Sequence, residues 1–442
     1  MNSEYSSIHY SVVHMHQLTG LIGVVVILTI GFLLSTNKRS INVRTIVSGV
    51  AIQFLIAFLF LRFPPVVRVF DYFAAGVTRV ISFADQGTVF IFGKVGDASG
   101  PWGFIFAVKV LPIIIFFASF MAVLYHLGIM QRVVAVLAWV IRRVLNVTGV
   151  EALSAAANIF LGQTEAPLTV KPFIATMTRS QIMAIMTVGF ATIAGSVMAA
   201  YIVMLGGDQE SARILMAKHL MTASVMSAPA GLVMAKLMLP ETETPQAESL
   251  DALRNLPKTT CNVMDAAAEG ATDGLRLALN VAAMLIAFVA LLAMLNYPLA
   301  ALSEINSIAS WRAAHGIPVL TFQNILGYIF TPLAWCMGVG SDDARKMGTL
   351  MGEQIIATEF VAYVDLSTSL RDGTISSRAA QIATYALCGF ANLPSIAIQI
   401  GGLSAMAPNR RSDFAALGLR AMVAGALACW MTGAVASLFI GG

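Results

Sequence analysis

Two glutamates set in apolar, glycine-interrupted sequence are the positions at which this chain could do chemistry. The first lies in Asn158-Ile-Phe-Leu-Gly-Gln-Thr-Glu165-Ala-Pro167 and the second in Gly352-Glu-Gln-Ile-Ile-Ala-Thr-Glu359-Phe-Val-Ala-Tyr363. A carboxylate in membrane-grade sequence is costly unless it lines a polar cavity, so it marks a substrate or ion path. Two such positions in corresponding parts of two halves point to a secondary transporter built from inverted repeats. Gln163, Thr164 and Glu165 put donors, acceptors and one negative charge at the first position, and Thr358 and Glu359 do the same at the second. A ligand rich in hydroxyls and amide-like edges, or a cation, matches these groups better than an anion, which would meet two carboxylates.

Other polar residues recur at helical spacing. Asn392, Ser395 and Gln399 fall three and four residues apart and share a helix face, with Pro394 expected to free a backbone carbonyl between them. Thr192 and Ser196 lie one turn apart, and with Asn158 and freed carbonyls they make an all-oxygen set suited to a hard cation such as sodium. The competing reading is structural, because polar groups in spans also join helices through hydrogen bonds worth about 0.6 kcal/mol. His126 reads as an interfacial residue, and His9, His14 and His16 sit in a polar tail without partners spaced for zinc. Cys261, Cys336, Cys388 and Cys429 are scattered, as small buried hydrophobes are.

The elements that position these groups follow from composition. Of 442 residues, 58% are hydrophobic and only 11% charged, against roughly a quarter charged in soluble domains. Apolar runs of spanning length recur throughout, giving an all-α polytopic membrane protein with about eight transmembrane helices. They fall at 18–34, 46–61, 104–127, 182–205, 215–239, 277–297, 379–402 and 417–440. Residues 62–103 mix charges with aromatics as an interfacial helix does. Residues 251–273 read as an amphipathic loop helix. The initial segment 1–17 has no Lys or Arg and no cleavage pattern follows it, so the first run is expected to stay as a span.

Lys38, Arg39 and Arg44 place the first loop in the cytoplasm and the N-terminus outside. Alternation then puts Arg132, Arg142, Arg143, the 240–274 loop and Arg410–Arg411 inside, whereas Arg345, Lys346, Arg371 and Arg378 fit the rule less well. Two further apolar segments, 153–173 and 320–369, are broken by Gly, Pro, Thr, Gln and Glu and read as re-entrant helical hairpins, entering from opposite sides. Each precedes two spans. The expected organisation is 1–150 as scaffold helices with the interfacial helix, 151–240 as a first inverted-repeat unit, 241–319 as loop and scaffold span, and 320–442 as a second unit.

These segments resemble the concentrative nucleoside transporters across most of the chain. The match lies in residues 37–53, in Leu111-Pro-Ile-Ile-Ile-Phe116 and Leu124-Tyr-His-Leu-Gly-Ile129, and above all in Ala156-Ala-Asn-Ile-Phe-Leu-Gly-Gln-Thr-Glu-Ala-Pro167, Gly389-Phe-Ala-Asn392 and Ile398-Gln-Ile-Gly-Gly402. The resemblance implies a homotrimer of the bacterial inner membrane in which a mobile transport domain moves, elevator-like, within a scaffold. It implies that Gln163 and Thr164 contact the nucleobase, with Glu165 nearby through water and Val197 against the ring. Glu359, Asn392 and Ser395 would hold the ribose hydroxyls and Phe390 would line the site. Asn158 and Thr192, with backbone oxygens of Leu161 and Ile193, would bind Na+. The chain departs from the family's second-hairpin pattern, Gly-x-Lys-x-x-x-Asn-Glu, at Gln354 and Thr358, which removes a lysine charge expected beside Glu359. Leu393 and Pro394 also stand where Phe and Ser are usual.

The reading is therefore a cation-coupled nucleoside importer, sodium being the first coupling ion and H+, titrating at Glu165 or Glu359, the alternative. A modified nucleoside is a further alternative as substrate. A channel would not accumulate substrate. An enzyme is disfavoured because no nucleophile or metal set accompanies the carboxylates, and nucleic-acid binding because no basic stripe is present.

Overall fold

The computed structural model describes residues 19–96, 105–207, 209–245, 260–315 and 319–441, and within them every regular element is helical. The histidines of the tail, the 251–259 part of the loop and residues 97–103 lie outside the described residues. The chain opens with α1 (Thr19–Leu33), α2 (Val43–Leu61) and the 29-residue α3 (Pro64–Phe92), which occupies the stretch read as an interfacial helix. Asn42 starts α2 by accepting from the Arg44 and Thr45 amides, and a proline opens α3, where a missing N–H costs nothing. After a turn at Phe106–Lys109 come α4 (Leu111–His126) and α5 (Ile129–Leu145). The last was missed in the sequence because it is amphipathic and carries Arg132, Arg142 and Arg143, so no apolar run marks it.

The first hairpin follows. Its descending arm, α6 (Gly149–Asn158), is started by a capping box in which Thr148 and Glu151 satisfy each other's terminal groups. Its return arm consists of the turns Ala166–Val170 and Lys171–Ile174, each with a proline in its first turn. The span predicted at 182–205 is two helices, α7 (Arg179–Ala191) and α8 (Gly195–Gly206), with residues 192–194 unwound between them. Then comes α9 (Glu210–Met238). The amphipathic loop helix expected at 251–273 is not separate. From Val263 the chain runs as one 41-residue helix, α10 (Val263–Ser303). The reason lies in its glycines, which permit close approach rather than breaking the helix. A methyl group on Gly270 would lie 2.6 Å from the Ala122 Cβ, and one on Gly274 would lie 2.8 Å from the Ala118 Cβ, both on α4.

After α11 (Asn306–Ala314), the second hairpin also departs from its predicted limits. Residues 320–336 are not an arm but hold a separate helix, α12 (Phe322–Cys336); the arms are α13 (Ser341–Ile356) and α14 (Glu359–Arg371). The span predicted at 379–402 is again two helices, α15 (Ser377–Ala386) and α16 (Leu393–Met406), separated by residues 387–392, and α17 (Arg411–Ser437) closes the fold. Two five-part series result: α5, hairpin, α7 and α8, α9; and α12, hairpin, α15 and α16, α17. Pro394 does not kink a continuous helix. It occupies the first turn of α16, behind an Asn392 cap.

The first broken span and α9 form the interior, with α15 and much of α17. The most apolar stretch of Arg179–Gly206 is wholly buried and that of Glu210–Met238 is 94% buried, whereas in α10 the share is 11%. The outer helices show Tyr72, Phe90 and Ile286 at their surface, as a lipid- or subunit-facing layer does. Among the described residues six helical stretches are long and apolar enough to cross a membrane, the interrupted Arg179–Gly206 counted as one, and α1 and α16 are shorter apolar helices.

One buried ion pair ties the first unit together. Lys236 of α9 reaches Glu151 of the hairpin arm and lies 3.0 Å from the Ser180 hydroxyl on α7, while Glu241 stands 3.5 Å from the same ammonium. Replacing Lys236 with methionine leaves the Glu151 charge buried without its cation, a change that costs about 3–5 kcal/mol. Thermal unfolding in detergent is expected to show a clear loss of stability, whereas Glu151→Gln combined with Lys236→Met is expected to recover much of it.

Candidate functional site

The two gaps in the broken spans meet. Thr192 is fully extended (φ −122°, ψ 164°), and its carbonyl accepts the Phe390 amide at 3.3 Å, so the unwound segments pair with each other at the centre of the protein. Each gap supplies the next helix with a cap or an outside partner. The Gly195 amide donates to the Phe160 carbonyl of the first hairpin at 2.9 Å, and the Asn392 Oδ1 accepts the Ser395 amide at 2.8 Å. The crossing is closely packed at Gly389. A Cβ there would lie 2.4 Å from the Cys429 sulfur and 2.6 Å from the Phe190 carbonyl oxygen, which is backbone and does not yield. Gly389→Ala is expected to cost about 1–3 kcal/mol by forcing the crossing apart. It is expected to lower both thermal stability and ligand affinity, checked by thermal shift with and without ligand.

Around this crossing the two hairpin tips differ. Glu359 is the first residue of α14, behind its Thr358 cap, and is only 3% exposed. Its Oε1 accepts from the Tyr201 hydroxyl of α8 at 2.9 Å and its Oε2 from the Asn392 amide at 2.8 Å. Tyr201 is itself stacked on Tyr363, with ring centroids 4.1 Å apart. Glu359, Asn392 and the Ser395 amide are thus joined in one hydrogen-bonded cluster. Glu165 behaves otherwise: it is exposed, and its Oε2 accepts the Gly162 amide of its own loop at 2.6 Å.

Gln163 is buried next to Gly189, where an added Cβ would contact both the Gln163 Cβ (3.1 Å) and the Gln399 Nε2 (2.5 Å). Gln399 donates to the Met186 carbonyl at 3.0 Å, and the side-chain oxygens of Gln163 and Gln399 are both buried without a hydrogen-bond partner among the described residues. Thr164 packs against α16 at Gly402. Val197 is buried at the start of α8, and Phe390 lies half-buried on the second gap.

At the first gap, Asn158 is fully buried. Its Nδ2 donates to the Ser154 carbonyl at 3.0 Å, which turns its Oδ1 towards Thr192, whose Oγ1 lies 3.5 Å away. Two ligands at right angles around a hard cation held at about 2.3–2.6 Å stand roughly 3.3–3.7 Å apart, so this spacing suits a shared ion. Ile193 is buried in the gap, and Leu161 lies half-buried in the hairpin turn. Ser196 joins the site region as a buried residue of the first turn of α8.

Gln354 stands where the family pattern has a lysine. It is fully buried, donating to the Gly389 carbonyl at 3.4 Å and accepting from the Trp430 indole at 3.2 Å, so it braces the second gap from behind. Sequence reading missed Tyr201 and Trp430, since one aromatic in an apolar run carries no signal of a polar partner.

An all-helical membrane protein with paired hairpins and broken spans around a polar crossing is the architecture of a solute transporter. Family profiles cover the chain in three parts: "Na+ dependent nucleoside transporter N-terminus" over residues 22–95, "Nucleoside recognition" (Gate) over 107–208, and "Na+ dependent nucleoside transporter C-terminus" over 219–437. An uncharacterized transporter of Haemophilus influenzae is 45% identical over 97% of this chain and 99% of its own. The putative nucleoside permease NupX of Escherichia coli is 37% identical over 97% and 100%. A structure of CNTnw in an inward-facing substrate-bound state superposes with a TM-score of 0.84 at 41% identity, covering 97% of this chain and 98% of that one. The chain belongs to the concentrative nucleoside transporter family. It is a nucleoside transporter and not an enzyme.

Proposed function

We propose that this chain is a Na+-coupled nucleoside symporter of the bacterial inner membrane, working as a homotrimer by an elevator-type movement of its hairpin-bearing core. The observation that carries the reading is the convergence of both hairpin tips on the crossing of the two gaps. Gln163 and Thr164, with Glu165 behind them, would meet the base, and Val197 and Phe390 would flank it. Glu359, Asn392 and Ser395 would take the ribose. A carboxylate offers about four lone-pair sites. Tyr201 and Asn392 use two of them in Glu359, which leaves two for the two hydroxyls of a cis-diol.

Sodium would sit at Asn158 and Thr192 with the Leu161 and Ile193 carbonyls, the donor set there being neutral oxygen throughout. Its coupling to substrate follows from connectivity. The cation would tie the end of α6 to the first gap, and the loop leaving α6 carries Gln163 and Thr164. Each ligand then stabilises the conformation that the other needs, which is reciprocal by linkage. The test is uridine and adenosine uptake into proteoliposomes under an inward sodium gradient, a proton gradient, or neither. Accumulation that requires sodium is the expected result. Accumulation with protons alone would transfer coupling to a carboxyl group, and no uptake of either would overturn the substrate class.

A further inference from the structure

Four basic residues fit the charge rule of membrane topology less well than the rest: Arg345, Lys346, Arg371 and Arg378. The fold gives three of them a protein partner. Arg345 donates to the Tyr328 hydroxyl at 2.8 Å, and the Lys346 Nζ lies 2.7 Å from both carboxylate oxygens of Asp365. Arg378 donates to the Ser437 and Ile440 carbonyls at the end of α17. The fourth, Arg371, is the exposed last residue of α14, and it lines a groove of about 520 Å³ that the nucleoside site does not use. That volume falls within the range of small-molecule sites.

The walls of the groove define what it can hold. Helix α14 contributes Val361, Val364, Ser367 and Arg371, spaced three or four residues apart and so on one helix face. Helix α10 faces them with Ile286 and Val289, which are 73% and 53% exposed, so the groove opens towards the surroundings of the outer layer. The Ser367 hydroxyl donates to the Met204 carbonyl at 2.8 Å, and the other lining side chains are apolar. Arg371 is therefore the only charged group on the walls among the described residues. The dimensions agree with one membrane leaflet. Helix α14 starts beside the central crossing at Glu359, and the ten residues from Val361 to Arg371 rise about 15 Å, half of a hydrocarbon core of about 30 Å. A fitting occupant has an apolar stem one leaflet long and a negative charge at its outer end. A guanidinium fork matches phosphate oxygens in particular.

We propose that this groove binds one anionic phospholipid, with an acyl chain lying between α10 and α14 and the phosphate meeting Arg371. The apolar walls supply affinity for any acyl chain, and Arg371 supplies the preference for negative charge. Near a membrane surface one such cation favours an anionic over a zwitterionic lipid by about fivefold. The lipid would bridge the outer layer, to which α10 belongs, and the hairpin arm whose first residue is Glu359. The site is independent of which solute or coupling ion the protein uses.

The test needs neither nucleoside nor sodium, so its failure is distinct from failure of the symporter reading. The full chain is reconstituted in phosphatidylcholine vesicles with a trace of phosphatidylglycerol that carries a photoreactive diazirine at the end of one acyl chain. After irradiation, labelled peptides are located by mass spectrometry. Labelling is expected to concentrate at 285–289 and 361–364, the mid-depth end of the groove. Unlabelled phosphatidylglycerol is expected to displace the probe about fivefold better than phosphatidylcholine with the same chains. In Arg371→Gln the two lipids are expected to compete equally, and Arg371→Lys is expected to restore the preference. Val289→Trp, which fills the groove from its exposed side, is expected to reduce labelling at 361–364 at least fivefold and serves if the arginine variants fail to fold. Labelling spread evenly over the outer helices without preference for either lipid would mean bulk lipid only and overturn the proposal. An unlabelled groove that instead cross-links two copies of the chain would assign the surface to a subunit contact and overturn it as well.

Discussion

Glu359→Gln is expected to reduce nucleoside uptake by about 100-fold or more. The substitution keeps shape and burial but replaces the carboxylate proposed to accept two ribose hydroxyls with a neutral amide that has one acceptor and one donor end. Hydrogen bonds to a charged group contribute about 1.5–3 kcal/mol each, so losing that charge for two of them reaches roughly 3 kcal/mol, or two orders of magnitude. The existing partners sharpen the expectation. Tyr201 and Asn392 both donate to this carboxylate, so a glutamine NH2 turned towards either would leave two donors facing each other. The measurement is initial uptake of uridine against 2′,3′-dideoxyuridine in proteoliposomes. The native protein is expected to favour uridine strongly, and the variant to transport both poorly and nearly equally. Retained preference for the ribose form would remove Glu359 from the diol. Glu165→Gln is expected to be milder, because that carboxylate is exposed and held only by its own loop.

This contrast between the two glutamates was not visible in the chain. Both read alike, as carboxylates at the end of apolar, glycine-broken runs, where a charge is costly unless it lines a polar cavity. What separates them is a tyrosine more than 150 residues away in sequence and an asparagine on a different span, which no local pattern encodes. The gaps in the spans were hidden for a related reason. Thr192-Ile-Ala-Gly195 is as apolar as a helix interior, and hydropathy measures side chains while the break is a property of the backbone. Its cause is tertiary, since the Thr192 carbonyl is taken by Phe390 and the Gly195 amide by Phe160. At the second gap, Asn392-Leu-Pro394 was a local signal of a helix start that was read as a kink within a helix.

Elsewhere composition misled in both directions. Helix α5 was lost because three arginines on its exposed face break up the apolar run, and α10 was divided because its first turns are rich in Ala, Gly, Asp and Glu. The small residues that resemble a loop there are the ones that let α10 lie against α4. At Gln354 the motif shows only that the family's lysine charge is missing; that the side chain turns to Gly389 and Trp430 and braces the second gap is encoded by no local pattern. The hairpin's ion pair joins Lys346 and Asp365, nineteen positions apart and brought together only by the folding of one arm on the other.

Asn158→Ala is expected to raise the sodium concentration for half-maximal uptake by about 10- to 100-fold, the range seen when the support of a metal site is removed. The alanine deletes an oxygen 3.5 Å from the Thr192 hydroxyl without disturbing the helix, since residue 158 ends α6 and alanine favours that helix. Thr192→Val, which keeps volume and removes only the hydroxyl, is expected to act in the same direction, and Thr192→Ser to be nearly silent. If the proposed cation and base sites are linked through the same hairpin turn, nucleoside affinity in saturating sodium is expected to fall in the variant, whereas affinity measured without sodium is expected to match that of the native protein. Equal losses with and without sodium would mean that Asn158 shapes the hairpin without holding an ion, and coupling would then have to come from a carboxyl group. Isothermal titration of uridine at zero and saturating sodium distinguishes these outcomes, because a linked site changes the difference between the two affinities while a structural one lowers both.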